Sequence, residues 1–175
     1  MPRVPYIEKA AAAPDVQKLF KSFESQFGIG VPNVVKALSN SPGSATKVVP
    51  LANYFMDQSA LDPRVRELAV LILMKRCNCE YGFVRHSDIA KRCGLTQEQI
   101  DDVANYKDSA RFTADDKVIL RYADELTLNA RVDDDLFGRA EKLVGKQDIV
   151  DLTGAIASGN MMARNLNALQ VTLEK

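Results

Sequence analysis

Apolar residues along this chain recur at spacings of three and four, the period of an α-helix, and no stretch alternates strictly as a half-buried strand does. The first such window covers residues 14–26, and Gly28 and Gly30 are expected to end its helix. Its inward positions are Val16, Leu19, Phe20, Phe23 and Phe27. The pattern predicts an all-α fold.

Capping residues and prolines divide the rest of the chain into further helices. Ser41-Pro42 and Asp62-Pro63 each place a capping residue before a proline, and Thr96 with Gln99 forms a capping box. We expect one bundle of about seven to eight helices, built around the very apolar run at residues 68–74. Beyond the first helix, the predicted helical windows are residues 33–38, 42–58 with a kink at Pro50, one opening at 63, 79–93, 96–104, 113–129, 133–145 and 147–173.

Composition narrows the class of protein. The chain has 175 residues, 46% of them hydrophobic, and its 23 basic residues balance 23 acidic ones. This is typical of one globular domain, and it gives no field that would attract nucleic acid or anionic lipid. Residues 88–103 have the spacing of a helix-turn-helix, but the would-be recognition helix carries Glu98, Asp101 and Asp102 and no basic residue, so DNA binding is not expected.

The sequence also limits the possible localisation of the protein and its capacity to bind a metal. The longest apolar run, residues 68–74, is too short to span a bilayer, and the first residues do not form a secretion signal. Three cysteines suit reduced thiols, and we expect a cytoplasmic protein. Cys77, Cys79, His86 and Cys93 lack the paired spacing of a zinc site, so neither a metal nor another cofactor is predicted.

The single histidine is the centre of the candidate chemistry. Cys79, Gly82, His86 and Cys93 are separated by three, four and seven residues and would share one face of a helix. One interpretation is a half-buried core histidine with two small apolar cysteines. The other is a site.

Glu67 precedes His86 on the apolar helix, and its role is open in the same way. It could pair with Arg64 or Arg66 at the rim of the bundle. If it faces His86 instead, burial would raise its pKa and make it a general acid or base.

The order Glu67, eleven residues, Cys79, two residues, Gly82, three residues, His86 resembles the signature of the carboxymuconolactone decarboxylase and alkylhydroperoxidase D-like superfamily. The resemblance covers residues 42–169. Further matching features are Arg66-Glu67-Leu68, Cys79-Glu80-Tyr81, Gly94-Leu95-Thr96 and the segment GNMMARNLNAL. It implies an alkylhydroperoxidase D-like helical bundle that assembles as trimers or hexamers with active sites near subunit contacts. Residues 1–175 would form one domain, with 1–40 as an N-terminal helical extension and 42–172 as the family core.

Two departures from the family pattern bear on mechanism. Peroxidase members carry a second cysteine where this chain has Gly82, and Cys79 lies about 10 Å along the helix from His86, too far for direct proton transfer. Cys77 does not replace the missing thiol, because residues two apart on a helix point in different directions. Decarboxylase members carry Glu-Trp where this chain has Gly82-Phe83. We interpret Gly82 as space for a small ring between His86 and Glu67.

Three functions follow from the resemblance. The first is acid/base chemistry on a small carboxylated lactone or ring. His86 would be the general acid or base, Glu67 would orient it or transfer a second proton, Cys79 would lie in the pocket wall with possible reactivity, and Gly82 and Phe83 would lie against the substrate. Asn160, Arg164 and Asn167 share a face of the last helix, and Arg164 could either bind the substrate carboxylate or form an interhelical salt bridge. The alternatives are a thiol-dependent peroxidase using Cys79 and a non-catalytic ligand-binding or scaffold homo-oligomer.

Overall fold

The regular elements of this chain are helices, and the computed structural model describes them over residues 1–27 and 30–174. The all-α prediction is confirmed. Within the described part there are nine α-helices, of which α2 and α6 are only six residues long. They are α1 (Pro14–Phe27), α2 (Asn33–Leu38), α3 (Pro42–Asn53), α4 (Pro63–Arg76), α5 (Glu80–Arg92), α6 (Gln97–Asp102), α7 (Ala114–Asn129), α8 (Asp134–Val144) and α9 (Lys146–Leu169). The expected ending of α1 at Gly28 and the inward placement of Phe27 fall outside the described positions.

Local capping chemistry sets several helix starts. The Asp62 side chain accepts hydrogen bonds from the backbone N–H groups of Arg64 and Val65, and Thr96 and Gln99 form the predicted capping box. Thr113 forms a second capping box, with Asp116. Ser41 makes no side-chain cap, so Pro42 alone marks the start of α3.

The helical segment predicted over residues 42–58 does reach Gln58, but it changes at Tyr54 into a π-helical turn, Tyr54–Gln58, one turn after Pro50, whose missing N–H disturbs the α-helical ladder. One predicted helix end is wrong. The last helix ends at Leu169 and not at residue 173, because Gln170 adopts a left-handed conformation with φ 50°. Residues 170–174 are therefore free to follow another path.

Helix α4 is the buried centre of the bundle. Residues 68–74 are at most 4% exposed, and the helix packs against α5, α7 and α9. Two ion pairs join it to α7: Arg64 contacts Asp116 at 2.6 and 3.1 Å, and Arg76 contacts Asp124 at 2.6 and 3.2 Å. These contacts hold α4 firmly in the bundle, and it can therefore support the residues that it presents on its other side, toward α5 and α9.

The N-terminal helices form a smaller apolar cluster beside the main core. Val16, Phe20 and Phe23 of α1 pack with Val35 of α2 and Val49 of α3. The division into residues 1–40 and 42–172 stays a prediction. In the described residues, no helix is long and apolar enough to cross a membrane.

Candidate active site

Glu67 and His86 meet at the contact between α4 and α5. His86 Nδ1 lies 2.8 Å from Glu67 Oε2, and Arg66 Nε lies 2.9 Å from Glu67 Oε1. Glu67 is 0% exposed and Arg66 is 5% exposed. Three partners of Glu67 were open from the sequence. The structure pairs it with Arg66 and His86, whereas Arg64 binds Asp116.

The pKa of Glu67 is lowered, opposite to the expected rise. Burial alone would raise it, but the adjacent imidazole of His86 and the Arg66 guanidinium together outweigh burial. The carboxyl group is thus ionised at neutral pH, and an ionised carboxylate can only accept hydrogen bonds. Glu67 is therefore a hydrogen-bond acceptor for His86 and not a proton donor.

The ionised Glu67 determines which nitrogen of His86 carries the proton in the neutral ring. Nδ1–H donates to Glu67, so Nε2 keeps its lone pair. The His86 side chain is 16% exposed, in contrast to Glu67, and it lines a cavity. An imidazole held in this way can take a proton at Nε2 and return it.

The cavity next to His86 has a volume of about 210 Å³ and is mainly apolar. Its walls include Phe23 of α1, Val34 and Val35 of α2, and Met162 of α9. Helices α1 and α2 therefore supply part of the candidate site, which local sequence patterns could not indicate.

Two guanidinium groups, those of Arg66 and Arg85, also line the cavity, and among the described residues that surround it there is no carboxylate. The cavity is thus suited to a small apolar molecule that carries a negative charge.

Gly82 does not leave the open space that we expected. A Cβ atom built at Gly82 would collide with Met74 Sδ, and it would lie 3.2 Å from Cys79 Sγ. Gly82 does line the cavity, but the Met74 thioether occupies the space that a side chain at position 82 would take. Glycine here allows close packing of α4 on α5.

Cys79 is not among the residues that line the cavity. It occupies the N-cap position of α5 without a side-chain capping hydrogen bond, and it is 1% exposed. Burial raises the pKa of its thiol despite a hydrogen bond from the backbone of Gly82. Burial likewise raises the pKa values of Cys77 and Cys93. All three cysteines are free. None has the lowered pKa that marks a reactive thiol.

The remaining candidate residues lie elsewhere. Arg164 Nη1 donates to the side-chain and backbone oxygens of Asn160 at 2.6 and 2.9 Å, and among the described residues it does not form the interhelical salt bridge considered from sequence. Asn160 and Asn167 both approach Cys77. The ring of Phe83 lies 3.7 Å below Lys75 Nζ. None of these side chains lines the His86 cavity.

Sequence reasoning missed Tyr81 and Arg85. With Ile89 they form a stripe at spacings of four on α5, beside the stripe of Gly82 and His86, and all five line the cavity. The spacing was a usable signal, because an aromatic and a cation accompany the histidine on one helix face.

The chain matches a known family over much of this region. Residues 42–125, which contain Glu67 and His86, match the carboxymuconolactone decarboxylase family. Over 116 residues the chain is 28% identical to the uncharacterized protein YnjA of Escherichia coli, a match that covers 65% of this chain and only 63% of that protein.

Solved structures share the fold. The alkylhydroperoxidase AhpD core of a peroxidase-related protein from Ralstonia eutropha has a TM-score of 0.86 at 21% identity, covering 99% of this chain and 93% of that one. The debrominase Bmp8, in complex with 2,3,4-tribromopyrrole, has a TM-score of 0.79 at 16% identity, covering 98% and 91%. At these identities the likeness concerns the fold. Residues 42–125 thus match the carboxymuconolactone decarboxylase family, and the chain as a whole shares the fold of the alkylhydroperoxidase D-like structure.

Proposed function

We propose that this chain is an enzyme that performs acid/base chemistry on a small ring compound bearing a carboxylate, through decarboxylation, isomerisation or ring opening. The observation that carries the proposal is the Glu67–His86 hydrogen bond of 2.8 Å, in which the carboxylate is buried and the imidazole borders the cavity. His86 would transfer the proton through Nε2, and Glu67 would hold the ring and stabilise its protonated form.

The cavity supports the ligand class. Its apolar walls suit a ring, and Arg66 and Arg85 supply positive charge for a carboxylate, a role that the sequence had suggested for Arg164. The debrominase Bmp8, which shares the fold, is described in complex with a small ring compound. In a decarboxylation, departure of CO₂ would leave an electron pair on carbon, and that carbon would take a proton from protonated His86.

The geometry favours this function over a thiol peroxidase. Cys79 is buried, its pKa is raised, and the imidazole that would have to activate it is bonded to Glu67. A thiolate in such a position is disfavoured at neutral pH.

The test compares His86→Ala with Cys79→Ala on a panel of carboxylated lactones and cyclic acids. Carbon-bound deuterium incorporation and CO₂ release are followed by NMR in D₂O. We expect His86→Ala to lose at least about 100-fold in rate. Cys79→Ala should keep most of the activity.

Three results would contradict the proposal. Wild-type-like turnover in His86→Ala removes the acid/base role, and peroxide consumption that disappears in Cys79→Ala supports the peroxidase. Tight binding of the panel without conversion supports a ligand-binding protein. The expected homo-oligomer is tested separately by light scattering.

A further inference from the structure

Residues 170–174, here called the C-terminal strap, leave α9 and lie beside α2 and the start of α5. Thr172 N–H donates to Tyr6 Oη at 2.8 Å, and Asn33 Nδ2 donates to Thr172 O at 3.0 Å. The cavity shares Arg66, Arg85 and Ile89 with a wider groove, and Thr172, Leu173 and Glu174 line that groove. The strap therefore forms part of the approach to the candidate site.

The two carboxylate oxygens of Glu174 have different surroundings. Oε1 accepts hydrogen bonds of 2.7 Å from the Asn33 backbone N–H and from the Tyr81 hydroxyl. Oε2 faces Arg85 Nη1 at 3.9 Å, which is beyond hydrogen-bond distance. One oxygen thus anchors the strap, whereas the other contributes only its charge.

We propose that Glu174 is the internal counter-ion of Arg85, and that an anionic ligand entering the cavity takes its place. Arg85 lines the cavity, where no described residue carries a carboxylate, and it forms its ion pair with Glu174 of the strap. Asp57 and Asp88 line the wider groove with it. The Arg85 and Glu174 side chains are 40% and 34% exposed, so their long ion pair is weak and exchangeable.

A ligand carboxylate can therefore bind Arg85 while Glu174 keeps its two hydrogen bonds through Oε1. This makes Glu174 a specificity-determining residue, because its charge opposes every anion that approaches Arg85. The inference deepens the proposed function, since it concerns ligand entry into the same cavity, but it depends on binding and not on turnover.

The experiment measures binding of benzoate and of its neutral analogue benzamide by calorimetry and ligand-observed NMR. Glu174→Gln keeps an oxygen that can accept both hydrogen bonds and removes only the charge. Glu80→Gln is the matched control, because this substitution makes the same change in net charge at a residue that is exposed on the first turn of α5.

We expect Glu174→Gln to bind benzoate about fivefold more tightly than the wild type, the size of a partly exposed charge pair. Benzamide should be unchanged, and Glu80→Gln should behave as the wild type. Arg85→Gln should weaken benzoate binding, and adding Glu174→Gln to it should give a smaller gain than Glu174→Gln gives in the wild type.

The inference is overturned if Glu174→Gln binds benzoate no better than the wild type, if neither protein binds it, or if benzamide gains equally. Thermal denaturation checks that each variant is folded. If Glu174→Gln is unfolded, Arg85→Gln decides: equal benzoate affinity in Arg85→Gln and wild type removes the proposed anion site. Failure of the acid/base proposal would appear as absent turnover and would leave these binding differences intact.

Discussion

Helix α4 takes part in two kinds of ion pair with a buried carboxylate. They differ in whether the partner of the carboxylate can also reach a ligand. Toward α7, Asp116 and Asp124 are each held by two nitrogens of an arginine, and Asp124 also accepts from the Tyr106 hydroxyl. Toward α5, Glu67 is bound as completely, but one of its partners is an imidazole whose other nitrogen remains available at a cavity.

Burial of a carboxylate therefore does not by itself mark an active site. The ion pairs between α4 and α7 connect the two helices and do not border the cavity. We therefore expect them to stabilise the fold and to have no part in the chemistry. The Glu67–His86 pair connects a buried charge to a group that can exchange protons with a ligand. Substitutions in the pairs between α4 and α7 should therefore change stability alone, whereas substitutions in the Glu67–His86 pair should change the chemistry as well.

The largest effect on stability is expected for Asp124→Ala. It leaves Arg76 without its counter-charge and the buried Tyr106 hydroxyl without an acceptor, which should lower the free energy of unfolding by about 3 kcal/mol. Urea denaturation measures this. Asp115→Ala, on the exposed side of the same helix, should cost only about 0.5 kcal/mol. Similar losses in both variants would show that the buried pair does not stabilise the fold.

Glu67→Gln should be the next in size and should affect both properties. The amide oxygen can still accept from Arg66, but the buried guanidinium loses its counter-charge, so we expect a loss of about 2 kcal/mol at pH 7. Turnover should fall at least about tenfold, because the protonated form of His86 is no longer stabilised. A variant that loses stability but keeps wild-type turnover would reduce Glu67 to a structural residue.

The stability difference between wild type and Glu67→Gln should depend on pH. The pKa of Glu67 is lower in the folded protein than in the unfolded chain, so its ionised form stabilises the fold above the unfolded value of about 4.3. That contribution is lost as the pH falls through the folded pKa. Denaturation between pH 3 and 7 should show the two proteins converging in acid. A difference that stays constant or grows toward acid pH would contradict the lowered pKa.

The smallest effect concerns Gly82. Gly82→Ala gains helix propensity but requires Met74 to move, whereas Gly138→Ala on the exposed side of α8 meets no atom within 4 Å. We expect Gly138→Ala to raise the free energy of unfolding by about 0.5–1 kcal/mol. The free energy of unfolding of Gly82→Ala should be about 1 kcal/mol lower than that of Gly138→Ala. Chemical denaturation compares the two. Equal stabilisation would mean that the Met74 contact is easily rearranged.

Features of the fold that are set by residues close together in the sequence could be predicted, and features that depend on distant residues could not. The caps at Asp62, Thr96 and Thr113 were predictable because a cap is set by residues within one turn. The left-handed turn at Gln170 was not, because glycine and asparagine are the usual residues there. With it, the strap and Glu174 were missed.

The candidate site was predictable in its chemistry but not in its surroundings. The spacing of Gly82 and His86 on one helix face indicated the site, and its register with Glu67 suggested the pair. The direction of the Glu67 pKa shift was missed because it depends on Arg66 and His86 acting together against burial. The cavity walls come from α1, α2 and α9, which no local pattern connects to α5.

The most direct test of the central claim is the proton position on His86. Because the chain contains one histidine, a ¹⁵N-labelled imidazole gives one set of ring signals in a long-range ¹H–¹⁵N NMR spectrum. The Glu67–His86 hydrogen bond predicts that the neutral ring is protonated at Nδ1, and that this preference is lost in Glu67→Gln. A wild-type ring protonated mainly at Nε2 would contradict the account.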